Sequence, residues 1–360
     1  MGDARLKDIT KDDVVFAEAT PAQQLLAWRL NGVSWAAPMS VDQYIKRETA
    51  LSETKLSSSG GCKYIILHRK SDPEDIISSV EATRKEVLIA DHDGLRKARA
   101  YAIASVYTNP VYRERGMATF MLRKLQDLMD EDSDCSALYS DIGTVYYDKL
   151  GWPVYPSLQV GLALQGSGGR KAPAGVRFLA ENEIQPLCEA DVKAVTEEFE
   201  ALGRTDGAVH VAFLPTWSQV QWHFTRAGFM AKILHDREIE HRGAITDDGK
   251  SWIYWDQDFR EKKLKVIRIV TEQSSDKVGD TVKLLQAATA EAEEWALEKV
   301  LVWNPDEATS TAAKSVAASP AESVSIVFDE RLDGSIPSLR WKDGKKPETA
   351  WDHNDYYAWC

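Results

Sequence analysis

The segment Arg113–Ala118 (R-E-R-G-M-A) contains the residues with the clearest chemical potential. It follows Arg99–Tyr107, an alternating β-rich stretch, and precedes Gly116–Met129, which has helical spacing, so we predict a turn between a strand and a long helix. A helix N-terminus exposes unpaired N–H groups and a partial positive charge, which together hold phosphate. Gly116 and Ala118 lack bulk, so an anion can approach the main chain, and two arginines add charge. The pattern predicts a phosphate-binding turn; an ordinary helix start is the alternative.

A second motif, Tyr147–Trp152 (Y-D-K-L-G-W), follows about thirty residues later. It comes after a short predicted strand, Leu138–Ser140, and overlaps a short predicted helix that ends at Gly151. A phenol can donate a proton to a leaving group. The alternatives are a packed aromatic residue at a helix end and a role for the adjacent Tyr146.

In this order and at this separation, the strand, the R-x-x-G-x-A turn, the helix, the next strand and the Y-x-K-L-G-W motif resemble the GNAT family of acetyl-CoA-dependent N-acetyltransferases. The resemblance covers roughly residues 5–160. It implies an α/β (α+β) GNAT fold with a mixed central sheet flanked by helices, and acetyl-CoA as co-substrate. It also implies that Tyr147 protonates the departing CoA thiolate. Ser140 and Gly143 stand where the family often has Asn and Ala, which leaves the hydrogen bonding near the sulfur open.

The resemblance also assigns residues to the two parts of the co-substrate. Main-chain groups of Val106 and Tyr107 would bind the pantetheine arm, where the strand separates from its neighbour. The pyrophosphate would be held by Arg113, Arg115, Gly116, Met117, Ala118 and Thr119.

The sequence Leu138–Gly143 (L-Y-S-D-I-G), followed by Tyr147, resembles the corresponding segment in one fungal branch of the family. That branch contains lysine N6-acetyltransferases of lysine catabolism, with a GNAT-like N-terminal part and a second C-terminal domain. Ser79–Thr83 also resembles a Ser-Cys-Glu-Thr strand of that branch, from which Val80 and Ala82 depart.

Acyl transfer to an amine requires a base, because a lysine side-chain amine has an unperturbed pKa near ~10.4. Glu81, on a strand predicted to face the cleft, is the first candidate; a solvated strand glutamate is the alternative. His68 and Asp141 are weaker candidates. Direct transfer in a ternary complex is expected, because neither Cys62 nor Cys135 lies in a motif typical of an acyl-enzyme nucleophile.

The C-terminal stretch Trp351–Cys360 is unusually aromatic. We expect it to dock as a strand and to direct the carboxylate of Cys360, or Asp355, toward the active cleft. Some tandem GNAT-like enzymes use a terminal carboxylate in this way. A purely structural strand is the alternative.

The elements that must position these residues divide at the Gly/Ser/Pro-rich stretch Gln165–Gly175. We predict a catalytic acetyl-CoA-binding domain in residues 1–165, a linker in 166–175, and a degenerate GNAT-like domain in 176–360 that shapes the substrate pocket. The second half repeats the strand–helix–strand order, but its turn Thr271–Asp280 is acidic and lacks R-x-x-G-x-A, which argues against a second cofactor site. Ala308–Ala321 is of low complexity and is predicted to be a surface loop.

Composition narrows the function classes. The 360 residues carry a net charge of −12, which argues against nucleic-acid binding and suits a cationic substrate. No apolar run is long enough for a membrane span and the N-terminus has no secretory apolar region, so a cytoplasmic protein is expected. The four cysteines contain no CxxC pair, so neither a disulfide framework nor a metal site is expected. Nine of the 12 tryptophans follow residue 170, where they pack a core or line a cleft for an alkylammonium group.

The sequence therefore predicts an N-acetyltransferase of a small-molecule amine, with the ε-amine of free L-lysine as the favoured substrate. Acetylation of other amines or of protein lysines is one alternative. A non-catalytic acyl-CoA sensor or scaffold is another, although the presence of Arg113, Gly116 and Tyr147 argues against it. The oligomeric state stays open.

Overall fold

The computed structural model describes residues 9–166, 169–202, 207–271, 273–319 and 323–359. Residues 167–168 of the predicted linker and the candidate Cys360 lie outside the described residues. Among the residues described, no helix is both long and apolar enough to cross a membrane.

The first half contains five strands and four helices before the chain enters the second sheet. They are β1 (Val14–Glu18), α1 (Pro21–Trp35), α2 (Val41–Ser52), β2 (Cys62–Arg69), β3 (Asp72–Asp91), β4 (Gly94–Thr108), α3 (Met117–Asp130), β5 (Cys135–Ser140) and α4 (Val145–Asp148). The β-rich stretch Arg99–Tyr107 and the predicted strand Leu138–Ser140 lie in β4 and β5, and the predicted long helix is α3.

From its second strand to its last helix, the second half repeats this order with one strand added. Its elements are β6 (Leu158–Leu164), β7 (Val176–Leu179), α5 (Glu181–Ala201), β8 (Val209–Phe213), α6 (Trp217–His235), β9 (Gly243–Thr246), β10 (Trp252–Asp258), β11 (Lys263–Val270), α7 (Lys277–Glu294), β12 (Lys299–Trp303), α8 (Glu307–Ala318), β13 (Val324–Glu330), β14 (Ile336–Trp341) and β15 (Thr349–Trp351).

Two mixed sheets with matching topology form the frame of the molecule. The first runs β1-β2-β3-β4-β5-β14, with β8 beside β3 and β15 beside β8, and the second runs β7-β9-β10-β11-β12-β6-β13. In each sheet the pair that flanks the long helix, β4/β5 or β11/β12, is parallel. The predicted mixed α/β fold and the internal repeat are therefore both visible in the strand order.

The two sheets exchange a strand. β6, from before the predicted linker, pairs with β12 and β13 in the second sheet. β14, from near the end of the chain, pairs with β5 in the first sheet. The division at 1–165, 166–175 and 176–360 stays a prediction about domains, because the sheets cross that boundary in both directions.

The cores follow from the apolar faces of the helices. α3 packs Met121, Leu125 and Met129 against β2–β5, and α7 and α8 pack their small residues against the second sheet. The prediction of a surface loop over Ala308–Ala321 is wrong for the residues that the structure describes there. α8 covers most of that segment because Thr309, Ala312, Ala313 and Val316 recur at helical spacing and are buried.

The C-terminal stretch also differs from the prediction. Among its described residues only Trp351 belongs to a strand, Thr349–Trp351, and Tyr356–Ala358 forms a short 3-10 turn. The Tyr357 hydroxyl donates to the carbonyl oxygens of Phe213 and His353, at 2.8 and 2.9 Å. Burial of the aromatic rings in the core anchors this segment without further strand pairing.

Candidate active site

Strands β4 and β5 separate at one end of the first sheet. Their parallel pairing covers Ala100–Ile103 and Cys135–Leu138 and ends there, although β4 continues to Thr108. The register of β3 and β4 shifts between Ser79 and Glu81, and Ser105 has a φ of 53°. The bulge bends β4, so the β5-facing edge of Val106 and Tyr107 opens onto a wedge-shaped gap.

The N-terminus of α3 lies at the end of this segment. Gly116 occupies the N-cap position with a φ of 72°, a left-handed conformation that favours glycine. Within the described chain no side chain caps this helix, and its first turn contains no acidic residue. A Cβ built on Gly116 would meet nothing within 4 Å, so the turn faces open space. The N–H groups of this turn are thus available to an anion.

The two arginines of the motif flank the turn. Arg113 is exposed, and its Nε donates to the Thr108 carbonyl oxygen at 3.1 Å. Its guanidinium lies 5.7 Å from the centre of the Tyr107 ring, and Arg115 is partly buried. Every residue predicted to bind the co-substrate therefore lies on the end of β4, in this turn or in the first turn of α3. These surroundings fit a pyrophosphate with an extended arm.

The second sheet has the same wedge but no comparable turn. β11 and β12 pair only from Lys263 to Lys265, and the gap beyond them is bordered by the C-terminal segment 349–355. At the N-terminus of α7 the Asp276 carboxylate accepts the N–H of Gly279 at 2.9 Å. An aspartate thus already occupies the place that a phosphate would need, in agreement with the argument against a second cofactor site.

A charged cavity of about 200 Å³ lies between the two halves, beside the wedge of the first sheet. The first half contributes Trp35, Tyr44, Arg47, Glu48, Leu51, Glu81, Ile103, Ala104, Ser105, Tyr139 and Asp141. The second half contributes Trp222, Arg226, Asp258, Arg260, Glu261, Lys265, Ser335 and Trp359. Both carboxylates and cations therefore line this cavity.

Glu81 is brought to this cavity by the bulge. It pairs with Ala104 across β3 and β4, and its Oε1 accepts the indole N–H of Trp28 at 3.1 Å. Burial raises the pKa of Glu81 to about 7, and the nearby negative charge of Glu48 adds to this effect. A carboxyl group with this pKa can exchange a proton near neutral pH.

Tyr147 lies on α4, in the core under α3 rather than on the wall of the charged cavity. The centre of its ring lies 5.1 Å from the centre of the Tyr146 ring and 6.5 Å from that of the Trp152 ring. Burial raises the pKa of Tyr147, and Tyr146 and Asp141 contribute in the same direction, so the phenol keeps its proton at physiological pH. The Tyr146 hydroxyl is instead hydrogen-bonded to the Thr119 hydroxyl at 3.2 Å.

The other candidates for the base differ in their position relative to the charged cavity. Asp141 lines the cavity and accepts the N–H of Ser335 at 2.8 Å. His68 is outside it, with Nδ1 at 2.9 Å from the Arg69 carbonyl oxygen. The expectation that Asp355 points to this cleft is wrong, because its carboxylate pairs with Arg268 at 2.7 Å in the second half.

Two of the described cysteines, Cys135 and Cys188, are not activated as nucleophiles. Together with Cys62 they are buried, and none of the three forms a disulfide within the described chain. Burial raises the pKa of Cys135 to about 12, so that little thiolate forms near neutral pH.

Several cavity residues were not identified from the sequence. Arg47 and Glu48 lie on α2, and Arg226 lies on α6, helices that were not predicted. Adjacent opposite charges on an amphipathic helix are ordinary on a solvated face, so the sequence offers little signal. Of the later tryptophans, Trp222 and Trp359 line the cavity, whereas Trp255, Trp303 and others are buried in the core.

The strand order, the wedge and the uncapped helix turn together define a GNAT-type N-acetyltransferase. Residues 164–360 match the family described as the LYC1 GNAT-like C-terminal domain, which is more than half of the chain, so the chain belongs to that family. A protein of Yarrowia lipolytica named lysine acetyltransferase is 23% identical over 384 aligned positions, which cover 91% of this chain and 95% of that protein.

Solved structures agree on the fold. A GCN5-related N-acetyltransferase from Kribbella flavida superimposes with a TM-score of 0.53 at 15% identity, covering 92% of this chain and 72% of its own. A putative acetyltransferase from Pyrococcus horikoshii does so with a TM-score of 0.52 at 11% identity, covering 96% and 94%. At these identities the likeness concerns the fold alone.

Proposed function

We propose that the protein transfers the acetyl group of acetyl-CoA directly to the ε-amine of free L-lysine in a ternary complex. The observation that carries this proposal is the charged cavity, which lies beside the wedge of β4 and β5 and contains Glu81. A free amino acid has an α-carboxylate, an α-ammonium and a side-chain amine, and a wall with both carboxylates and cations can complement such a molecule. The Yarrowia lipolytica protein that matches nearly the whole chain is named a lysine acetyltransferase.

The co-substrate supplies an acetyl thioester when bound. Arg113, Arg115 and the N–H groups of Met117, Ala118 and Thr119 would hold its pyrophosphate through charge and hydrogen bonds. The open edge of Val106 and Tyr107 would orient the extended arm along the wedge, with the thioester directed toward the charged cavity.

Glu81 would take the proton that the amine must lose. The pKa of an ordinary glutamate lies roughly 6 units below that of a lysine amine. The pKa of Glu81, about 7, lies only roughly 3 units below it, so proton removal by Glu81 is less unfavourable. The amine nitrogen then bonds to the carbonyl carbon and the carbon–sulfur bond breaks. Tyr147 would donate its proton to the leaving sulfur, and the second proton that the nitrogen loses on becoming an amide would restore the phenol through solvent.

Cys360, also predicted to be catalytic, stays a prediction. The preceding Trp359 lines the cavity, and its carbonyl oxygen accepts the Gln219 side-chain amide at 3.3 Å. The tail is thus anchored close enough for its carboxylate to be tested as a second base.

An amine panel tests the proposal. The protein is incubated with acetyl-CoA and L-lysine, ornithine, other small amines or a lysine-containing peptide, while thiol release and product mass are followed. Acetyl on Nε of lysine supports the proposal, and preference for the peptide supports protein acetylation instead. Thiol release with none of the amines, together with tight acetyl-CoA binding, supports the sensor alternative. Cytoplasmic location and a place in lysine breakdown stay predictions.

A further inference from the structure

Arg331 lies where the chain crosses from the second sheet to the first, between β13 and β14. It is 5% exposed, and its guanidinium carbon lies 3.8 Å from the centre of the Trp303 ring. Nε donates to the Ser335 carbonyl oxygen at 3.1 Å and Nη1 to the Leu158 carbonyl oxygen at 3.5 Å. The guanidinium is thus fixed by an aromatic face and by main-chain acceptors.

The remaining nitrogen of this side chain, Nη2, is buried without a hydrogen-bond partner. Burial lowers the pKa of Arg331 to about 10, so the group still carries its charge at neutral pH. Among the described residues, no carboxylate forms an ion pair with it. The buried cations that line the charged cavity do have such partners: Arg47 with Glu48, Arg226 with Asp256, and Lys265 with Asp258. A buried cation without a counterion is costly, and an incoming anion would relieve that cost.

Arg331 lines a second cavity of about 300 Å³. This cavity adjoins the charged cavity, because both are lined by Asp141, Glu261, Lys265 and Ser335. The space beside Arg331 therefore lies next to the cavity that contains Glu81.

We propose that the guanidinium group of Arg331 binds the α-carboxylate of the amino acid substrate and thereby selects a free amino acid over a simple alkylamine. The inference rests on the proposed function, which it deepens by naming a specificity residue. A guanidinium suits a carboxylate in geometry and charge. A site built around such a donor discriminates strongly against an analogue that leaves the donor unpaired.

The first test compares L-lysine with 1,5-diaminopentane, which has the same carbon chain without the carboxylate. In Arg331→Gln we expect kcat/KM for lysine to fall about 30-fold or more and that for the diamine to change less than about threefold. Lys263→Gln is the matched control, because Lys263 lines the same cavity but pairs with Glu261 at 2.7 Å. It should leave the ratio between the two substrates unchanged. Damage to the 331–335 loop would lower kcat/KM for both substrates equally, and that result would overturn the inference.

A binding measurement removes the dependence on turnover. L-norleucine has the α-amino acid group but no side-chain amine, and its binding is measured by titration calorimetry in the presence of CoA. We expect Arg331→Gln to weaken binding about tenfold or more, and Arg331→Lys to restore part of it. Norleucine binding that depends on Arg331, without lysine acetylation, would contradict the proposed function alone. Lysine acetylation with no Arg331-dependent preference, or no norleucine binding to the unaltered protein, would overturn the role of Arg331 alone.

Discussion

Arg340 on β14 and Asp130 at the end of α3 form a bidentate ion pair, with both nitrogen–oxygen distances at 2.6 Å, although 210 residues separate them in the sequence. Both side chains are mostly buried, at 8% and 17% exposed. This ion pair links the strand that comes from the second half to α3, whose N-terminus forms the turn proposed to bind phosphate. The position of that turn depends on both halves of the chain.

Asp130→Asn should cost about 3 kcal/mol of unfolding free energy at pH 7, because it leaves Arg340 without its counterion. Burial alone would raise the pKa of Asp130, but hydrogen bonds from Arg340 and from the Asp343 N–H hold it below its ordinary value. The carboxylate therefore stabilises the fold fully above about pH 4 and loses this effect as the pH falls through its lower folded-state pKa. Urea unfolding at several pH values measures the difference.

The control is Asp134→Asn, because Asp134 pairs with Arg96 at 2.7 Å on a more exposed surface within the first half. It should cost less than about 1 kcal/mol. Equal losses in the two variants would contradict the importance given to the pair between the halves.

Glu81→Gln should lower kcat on the order of 10²-fold or more, with little change in acetyl-CoA binding, because the proton acceptor is lost. In the unaltered protein, kcat should rise with pH through about 7 as Glu81 ionises. This rise is the acidic limb of the pH–rate profile, and the variant should lack this limb. Glu48→Gln should move the limb to lower pH, because the Glu48 charge raises the pKa of Glu81. A pH–rate series measures all three proteins; an unchanged limb in Glu81→Gln would exclude Glu81 as the base.

Gly116→Ala should weaken CoA binding about tenfold, because a side chain at a φ of 72° strains the turn that faces the phosphates. Gly60→Ala is a matched control: its φ is 78°, and there too a Cβ would meet nothing within 4 Å. Both variants should lose about 1 kcal/mol of stability, but only the first should lose affinity in calorimetric titration. If the two variants bind CoA with equal affinity, CoA does not bind at the Gly116 turn.

Tyr147→Phe should lower kcat on the order of 10²-fold, because no phenol then protonates the sulfur, whereas the KM for acetyl-CoA should change little. Tyr146→Phe removes only the contact with the Thr119 hydroxyl and should be the milder variant. Steady-state kinetics with both substrates varied provide the comparison. A larger kcat defect in Tyr146→Phe would transfer the proposed role to the neighbouring tyrosine.

The tail is tested by moving its carboxylate without removing Trp359. Adding Gly-Ser-Gly after Cys360 should lower kcat about tenfold if that carboxylate assists proton transfer, with the KM for lysine little changed. Deleting Ala358–Cys360 should affect both constants, because Trp359 is then missing from the cavity wall. An extended protein with unaltered kcat would leave the tail with a structural role.

The co-substrate turn and the charged cavity differ in how far the sequence could predict them. The turn is local: Arg113, Gly116 and the helix that follows are adjacent in the chain, so their spacing carried the prediction. The cavity joins Glu81 with Arg226 and Lys265, which lie on different elements, and only packing brings them together. Arg331 lies in a short connection whose importance depends on the strand exchange, for which the chain shows no local signal.

Composition misled the prediction where small residues do the packing. Ala312, Ala313 and Val316 look like low-complexity sequence, yet they let α8 approach α7 closely and are fully buried. Aromatic residues had the opposite effect: the rings near Tyr356 suggested a docked strand, and burial holds a 3-10 turn there instead.

The exchange of β6 and β14 also bears on how the protein is made. While the ribosome has delivered only the first half, β5 exposes an edge that its partner, residues 336–341, cannot yet cover. An uncovered strand edge is prone to pair with other chains. The first half of the chain therefore has an uncovered strand edge while residues 141–335 are synthesised, and we expect premature termination before β14 to yield an aggregation-prone fragment.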